Sequence, residues 1–262
     1  MADDPLLDRR VAVKILRDDR LTDPASIQML ESEAKKIAKL HHPNIVAVFD
    51  AGREEDFTYV VMEYVEGQSL REQLMEGPMD GQDAYHIIRG MCQGVSFAHE
   101  KGVVHKDLKP RNVMLEESTH RVVVMDFGLA SMEGEVVDSE RIVGSPAYMS
   151  PEQIKGESLD RRTDIHAIGV ILYEMFTGHM PFQGTSAPEV LRAVLRGQFA
   201  PPSQLNSEIG PAFETVITTC MALDKGDRYQ TLPEMVNALQ SCPDKLPPTR
   251  ECGGMSGSTV TD

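Results

Sequence analysis

The chain has 262 residues, of which 41% are hydrophobic and 26% charged, a balance that fits a folded globular protein and excludes wholesale disorder. Forty-one acids against 26 bases give a formal net charge of -15, so no overall field exists to attract nucleic acid or an anionic membrane. No apolar run approaches the roughly 20 residues of a membrane-spanning helix. Met1-Ala-Asp-Asp-Pro has neither the basic nor the apolar region of a signal peptide. Cys92, Cys220, Cys242 and Cys252 are too scattered for a disulfide framework and form no CxxC pair. The expectation is a reduced, cytoplasmic chain with no nucleic-acid partner and no membrane segment.

The first strong element is Arg10 to Leu16, a β-branched run with period-2 alternation. Alternation puts Val11, Val13 and Ile15 on one face and Ala12, Lys14 and Leu16 on the other. A lysine between apolar neighbours needs a partner; alone, the run reads as an edge strand whose lysine snorkels to water. After Asp23-Pro24, Ile27, Leu30, Ala34, Ile37 and Ala38 keep a helical period, with Glu33 beside the stripe. His41-His42-Pro43 stops that helix. Strands are expected over 44–49 and 57–62, separated by a polar turn containing Gly52 and three acids, with a connector at 63–67.

Beyond the connector the pattern turns helical. Ala84, Ile87, Ile88, Met91, Val95 and Ala98 trace a stripe closing near Gly102. The segment 164–176 is apolar nearly all round, which predicts a helix buried at the centre of its lobe. Helical periods recur at 188–195, 211–222 and 232–240, and 243–262 reads as a disordered tail. Strands before helices predict an α+β, two-lobed architecture: a small β-rich lobe over 1–67 and a larger helical lobe over 68–242.

Two loops carry the chemistry. His105-Lys-Asp-Leu-Lys-Pro-Arg-Asn112 mixes poor helix and strand formers, and nineteen residues after Asp107 the β run 122–125 ends in Asp126-Phe-Gly128. Two carboxylates and a carboxamide on loops are hard oxygen donors suited to Mg²⁺. Either motif alone is a solvated loop or a turn after a strand. Their order and spacing make the joint occurrence informative.

The ordered set Val11-Ala-Val-Lys14, Glu33, His105-Lys-Asp107 with Asn112, Asp126-Phe-Gly128 and Ser150-Pro-Glu152 resembles the protein kinase superfamily. His42-Pro-Asn-Ile-Val46, Val61-Met-Glu-Tyr-Val65 and Gly144 to Gln153 are similar to the bacterial eukaryotic-like Ser/Thr protein kinases. The resemblance spans residues 11–240 and implies a two-lobed kinase fold, ATP and Mg²⁺ as cofactors, and a protein Ser/Thr hydroxyl as acceptor. It implies that Lys14, paired with Glu33, holds the α- and β-phosphates, that Asp107 takes the hydroxyl proton, and that Lys109 steadies the γ-phosphate. Asn112 and Asp126 would hold Mg²⁺. Met62 would be the gatekeeper, the backbone of Glu63 to Val65 would meet adenine, and Ala12 and Met114 would sandwich the ring. Ile37, Val48, His105 and Phe127 would stack as a spine, Asp164 would tether the loop at 105–112, and Glu152 would pair with Arg228. His99 reads as a satisfied core histidine. Within the activation segment 126–152, Ser139 is the better candidate phosphosite, Ser131 is another hydroxyl, and Ser145 has a structural place.

Three departures qualify the resemblance. No glycine precedes Lys14, so the glycine-rich phosphate loop is missing and the strand lobe reads as truncated. Lys106 stands where the family most often has Arg, which keeps the charge but not the bidentate fork. Ser-Pro-Glu departs from the usual triplet but retains its glutamate, a change that should matter little. The missing loop motivates an alternative, a pseudokinase or scaffold with weak or no ATP binding. A small-molecule phosphotransferase is a third reading, opposed by Lys109 and the 144–153 segment.

Overall fold

The computed structural model describes residues 1–4, 7–17, 36–54, 57–127, 146–242 and 246–250. Four strands, β1 (Ala2–Asp4), β2 (Arg9–Arg17), β3 (Val48–Arg53) and β4 (Phe57–Glu63), form an antiparallel sheet in the order β1-β2-β4-β3. β2 lies inside this sheet, with Ala2 opposite Val11 on one side and Ala12 opposite Met62 on the other. β1 reaches only Arg9 to Val11, so at Lys14 the strand is paired on one side among the described residues, with Val60 of β4 opposite it. Thr58, Val60 and Met62 alternate to the buried face of β4, as the pleat requires.

The run expected as one strand over 44–49 divides in two. Ile45 bridges Val124 in parallel, and the Val46 N–H donates to the Val124 carbonyl at 3.1 Å. The strand itself begins at Val48 and continues through Gly52 to Arg53. A register shift between Val48 and Asp50 marks a bulge at Phe49, which is exposed beneath the Arg9 guanidinium, 3.8 Å from its ring centroid. Gly52 is no turn residue: a Cβ there would lie 2.3 Å from the Tyr59 hydroxyl of β4, so the glycine answers a close cross-strand approach.

A second antiparallel sheet, β5 (Gly67–Ser69), β6 (Val113–Glu116) and β7 (Val122–Val124), begins the larger lobe. Helices α1 (Leu70–Glu76), α2 (Gly81–Glu100), α3 (Pro151–Lys155), α4 (Arg161–Thr177), α5 (Ala187–Arg196), α6 (Pro202–Leu205), α7 (Pro211–Cys220) and α8 (Leu232–Gln240) complete the described residues. Caps explain the starts. Ser69 and Glu72 form a capping box on α1, Ser150 and Gln153 another on α3, and Asp80 and Asp160 cap α2 and α4. The apolar stripe of α2 is buried as expected, and it reaches β7 through glycines: a Cβ on Gly90 would meet Val122 at 2.7 Å. α4 is buried along its length from Thr163 to Thr177, which is what an all-round apolar helix demands. The fold is thus the two-lobed α+β architecture, a strand lobe ahead of a helical one.

The tail departs from its expectation. Residues 246–250 are a docked strap: the Met79 N–H donates to Thr249 Oγ1 at 2.7 Å, and the Thr249 N–H returns to the Met79 carbonyl at 2.8 Å. The Arg250 N–H donates to the Met175 carbonyl, and its guanidinium to Asn206 Oδ1. Composition suggested disorder because the segment has no apolar period; backbone pairing, which needs none, holds it.

Two buried ionisable groups sit together under the helical lobe. Arg228 donates twice to Glu152, at 2.7 and 2.8 Å, and Thr163 Oγ1 adds a third bond to the carboxylate. Burial alone would raise the Glu152 pKa, but Arg228 and Thr163 outweigh it and bring it down to about 2. His166 on α4 is fully buried, stacked 6.2 Å from Phe182, and neither ring nitrogen has a hydrogen-bond partner. Burial first, then the Arg228 charge, lowers its pKa to about 3 against a smaller upward pull from Glu152.

Both groups make acid destabilising. Between pH 6.5 and about 3 the unfolded His166 binds a proton that the folded one refuses, so stability falls as pH drops. Glu152 adds its own loss from about pH 4.5 toward 2. His166→Phe keeps the stack and removes two unsatisfied nitrogens. It should gain about 1–2 kcal/mol at pH 7 and flatten the loss between pH 6.5 and 4.5 in urea titrations. An unchanged slope would show that His166 stays neutral in both states.

Candidate active site

The loop at 105–112 leaves α2 and enters β6, and its shape is set from below by α4. Asp164, in the first turn of α4, accepts the His105 N–H on Oδ2 and the Lys106 N–H on Oδ1, both at 2.8 Å. His99 Nε2 lies 2.7 Å from Oδ2, so His99 is a satisfied core histidine, as expected. These contacts hold Lys106 at a φ of 69°, a left-handed conformation that a lysine adopts only under constraint. The Gln153 side chain clamps the same residue from above, donating to the Lys106 carbonyl at 2.7 Å.

His105 is fully buried, and its hydrogen bonds fix its tautomer. Nδ1 accepts the Asp107 N–H at 3.2 Å, so Nε2 carries the proton and donates to the Met125 carbonyl at 2.8 Å. The ring packs 4.6 Å from that of Phe127. Ile37, Val48 and Phe127 share one core with the helical lobe, while an apolar gap lined by Ile37, Val48, Met62 and Phe127 opens beside Asp126. The four spine residues are thus brought together.

The polar centre forms around Asp107. Its Oδ2 meets Lys109 Nζ at 2.7 Å and Asn112 Nδ2 at 3.2 Å, and the same Nδ2 donates to the Asp107 carbonyl at 2.8 Å. Both protons of Nδ2 are thereby used, which leaves Oδ1 as the free acceptor atom of Asn112. The Met125 N–H donates to the Asn112 carbonyl at 2.8 Å, so the 105–112 loop and the end of β7 are stitched together on both sides of Asp126. Asp126 sits at a φ of 59°, a second strained non-glycine residue. Its Oδ2 lies 3.3 Å from Lys14 Nζ, both side chains being about a quarter exposed. The strand-lobe lysine and the helical-lobe acid thus meet across the boundary between the lobes.

Next to them lies an apolar cluster of Val46, Val60, Met62, Val65 and Val123. Ala12 of β2 and Met114 of β6 both pack against it, one from each lobe. Met62 and Val65 are buried. The Glu63 side chain is turned away, accepting the Ala47 N–H at 3.2 Å and pairing with Arg121. What Glu63 offers the cleft is main chain.

Glu33 lies outside the described residues, as do Ser131, Ser139 and Ser145. Sequence reasoning missed Arg121, which ties the connector to the helical lobe through Glu63 and Glu116. It read Gln153 only as part of a motif, and it passed over Arg71 and Glu174. Gln153 carries a local capping-box signal and Arg121 a near partner in Glu116, but the contacts of these residues with Lys106 and Glu63, like that of Arg71 with Glu174, join positions far apart along the chain. No group of three or more His, Cys, Asp or Glu among the described residues could by itself hold a metal.

With this geometry in place, comparison with known proteins is specific. Residues 6–240 match the protein kinase domain family, and the chain belongs to that family. It is 40% identical over 243 residues to the serine/threonine-protein kinase PknB of Mycobacterium leprae, covering 90% of this chain and 39% of that protein. It is 35% identical over 238 residues to the serine/threonine-protein kinase PrkC of Bacillus subtilis, covering 90% and 37%. A probable serine/threonine-protein kinase of Streptomyces coelicolor is 37% identical over 255 residues. The chain spans under two fifths of the length of these relatives. No helix among the described residues is long and apolar enough to cross a membrane.

Asp164→Ala strands the His105 and Lys106 N–H groups in the interior. It should lower unfolding free energy by about 2–6 kcal/mol, from two unsatisfied donors at about 1–3 each, as read by chemical denaturation. A loss below 1 kcal/mol would mean that the loop keeps its shape without α4.

Proposed function

We propose that this chain is a Ser/Thr protein kinase domain that transfers the γ-phosphoryl group of ATP to a Ser or Thr hydroxyl of a protein. The observation that carries the reading is the convergence of Asp107, Lys109, Asn112 and Asp126 on one loop pair, with Lys14 brought to Asp126 from the other lobe. The adenine would lie between Ala12 and Met114, edged by the main chain of Glu63 to Val65 and backed by Met62. Lys14 would neutralise the α- and β-phosphates, joined by Glu33 as its charge partner.

The donor set suits a hard divalent ion. Asn112 Oδ1 is oriented by the two bonds of its own Nδ2, and Asp126 is a partly exposed carboxylate. These two residues would hold Mg²⁺, which supplies neutralisation of the charge on the transferred phosphoryl group. Asp107 orients the acceptor hydroxyl and takes its proton as the new Oγ–P bond forms and the bond to the β-phosphate oxygen breaks, releasing ADP. Lys109, already on Asp107, places a cation beside the γ-phosphate and keeps the acceptor and donor groups close. Strain at Lys106 and Asp126 supports the reading, since constrained backbone concentrates where geometry must be held for chemistry. The use of ATP and the free thiols of Cys92 and Cys220 suit a reducing, cytoplasmic setting.

Calorimetry should show saturable binding of ATP that requires Mg²⁺ and weakens at least tenfold in Asp126→Asn. Asp107→Asn should keep that binding and lose phosphoryl transfer to a generic basic protein by about 100-fold or more. A folded chain that binds no Mg·ATP would instead be a scaffold. Wild-type rates in Asp107→Asn would remove Asp107 from the chemistry.

A further inference from the structure

The connector between the lobes is short of apolar anchors and rich in charge. Of residues Glu63 to Gly67 only Val65 is buried. Glu63 turns toward the helical lobe, where Arg121 pairs with it and with Glu116 of β6, the latter at 3.1 Å. The same guanidinium reaches the Pro43 carbonyl at 3.4 Å. On the other side Arg10 of β2 donates to Glu66 at 2.9 Å and lies 5.0 Å from the centroid of the Tyr64 ring. Three side chains of the connector are thus gripped by two arginines, one from each lobe.

Each grip lies one step along a strand from a residue proposed to enclose adenine. Arg10 and Ala12 share a face of β2, and Glu116 and Met114 share a face of β6, about 7 Å apart in each case. The main chain of the connector is held as well. The Glu63 N–H donates to the Ala47 carbonyl at 2.8 Å, and Glu63 Oε2 accepts the Ala47 N–H at 3.2 Å. The Glu66 carbonyl accepts the Glu117 N–H at 3.0 Å, which fixes the far end on the helical lobe. A slot walled by one strand from each lobe takes its height from directional contacts such as these. Apolar contact alone does not set that height, because it is non-directional.

We infer that Arg10 and Arg121 are positioning residues for the nucleotide: a two-arginine brace on the connector that sets the spacing of Ala12 and Met114 and the placement of the Glu63 to Val65 main chain. The inference rests on the kinase reading above. Among the described residues no bond joins the brace to Asp107, Lys109 or Asn112. Its loss therefore acts on adenine and not on the transfer step. The brace is ionic, and its Arg121 and Glu63 side chains are about a quarter exposed, so salt weakens it. Adenine affinity thereby acquires a salt dependence even for adenosine, which carries no charge of its own.

The test uses the full chain, with adenosine as the neutral probe. Arg10→Met and Arg121→Met each remove a cation and keep an unbranched stem, and Arg121→Lys restores the charge without the fork. Raising NaCl from about 0.1 to about 1 M shortens the screening length from about 10 to about 3 Å. Over that range wild-type adenosine binding should weaken about threefold or more by calorimetry. At the lower salt each Met variant should bind adenosine about threefold more weakly than wild type, and Arg121→Lys should recover part of the loss. The double Met variant should lose the salt response. In transfer assays the change should fall on KM for ATP and not on kcat. Wild-type adenosine affinity in the double variant, an undiminished salt response there, or a loss confined to kcat would overturn the brace. Should the wild-type chain fold yet bind no adenosine, the kinase reading falls, and amide exchange over residues 63–67 decides the brace: unchanged protection in the double variant overturns it.

Discussion

The site depends on one carboxylate, that of Asp164. Its two oxygens take the consecutive N–H groups of His105 and Lys106, and a loop held at two adjacent peptides has little freedom left. Everything the loop presents follows from that grip: the left-handed Lys106, the reach of His105 to Met125, and the cluster of Lys109 and Asn112 on Asp107. Asp164 can hold the loop firmly because it sits in the first turn of a helix that is itself buried on all sides. A carboxylate there also gains from the helix dipole.

The polar residues of α4 make sense as anchor points. An entirely apolar helix would bury well but could not fix the orientation of loops, since hydrophobic contact is non-directional. Asp164 and Thr163 at one end and Glu174 near the other each accept or donate across to a distant segment. Ten residues separate Asp164 from Glu174, about 15 Å along the axis. That spacing matches a frame that holds the catalytic loop at one end and α1 at the other. His166 lies between them and holds nothing, which makes it the one polar residue of the helix that detracts from stability.

Much of this was legible in the sequence where a single segment carries its own signal. Alternation placed Ala12 and Lys14 on one face of β2, the 3.6 period drew α2, and the lack of any polar face predicted the burial of α4. The Glu152–Arg228 pair and the Asp164 tether were legible only through resemblance, because their partners are 76 and 59 positions away. Arg121–Glu63 and Arg71–Glu174 had neither signal, and long-range ion pairs leave no mark in local composition. The misplaced strand has a different cause. Gly52 beside acids looks like a turn, and only the Tyr59 ring crossing above it shows why a glycine stands in mid-strand. The strap at 246–250 escaped because its stability lies in backbone bonds, to which composition is blind.

The Lys14–Asp126 contact carries the last step of the argument. In β2 the lysine shares a face with Ala12, which packs on the apolar cluster, and an ammonium there is tolerable only beside a counter-charge. Asp126 supplies one, but from the opposite lobe and from a strained backbone, where burial and cross-lobe hydrogen bonds must offset the strain. A chain selected only for stability would place an apolar residue at 14 and a glycine at 126. On the kinase reading proposed above, a partly exposed pair would leave both charges able to exchange one another for a phosphate and a divalent cation. The two groups that join the lobes at this point are, on that reading, the ones that would take hold of the nucleotide.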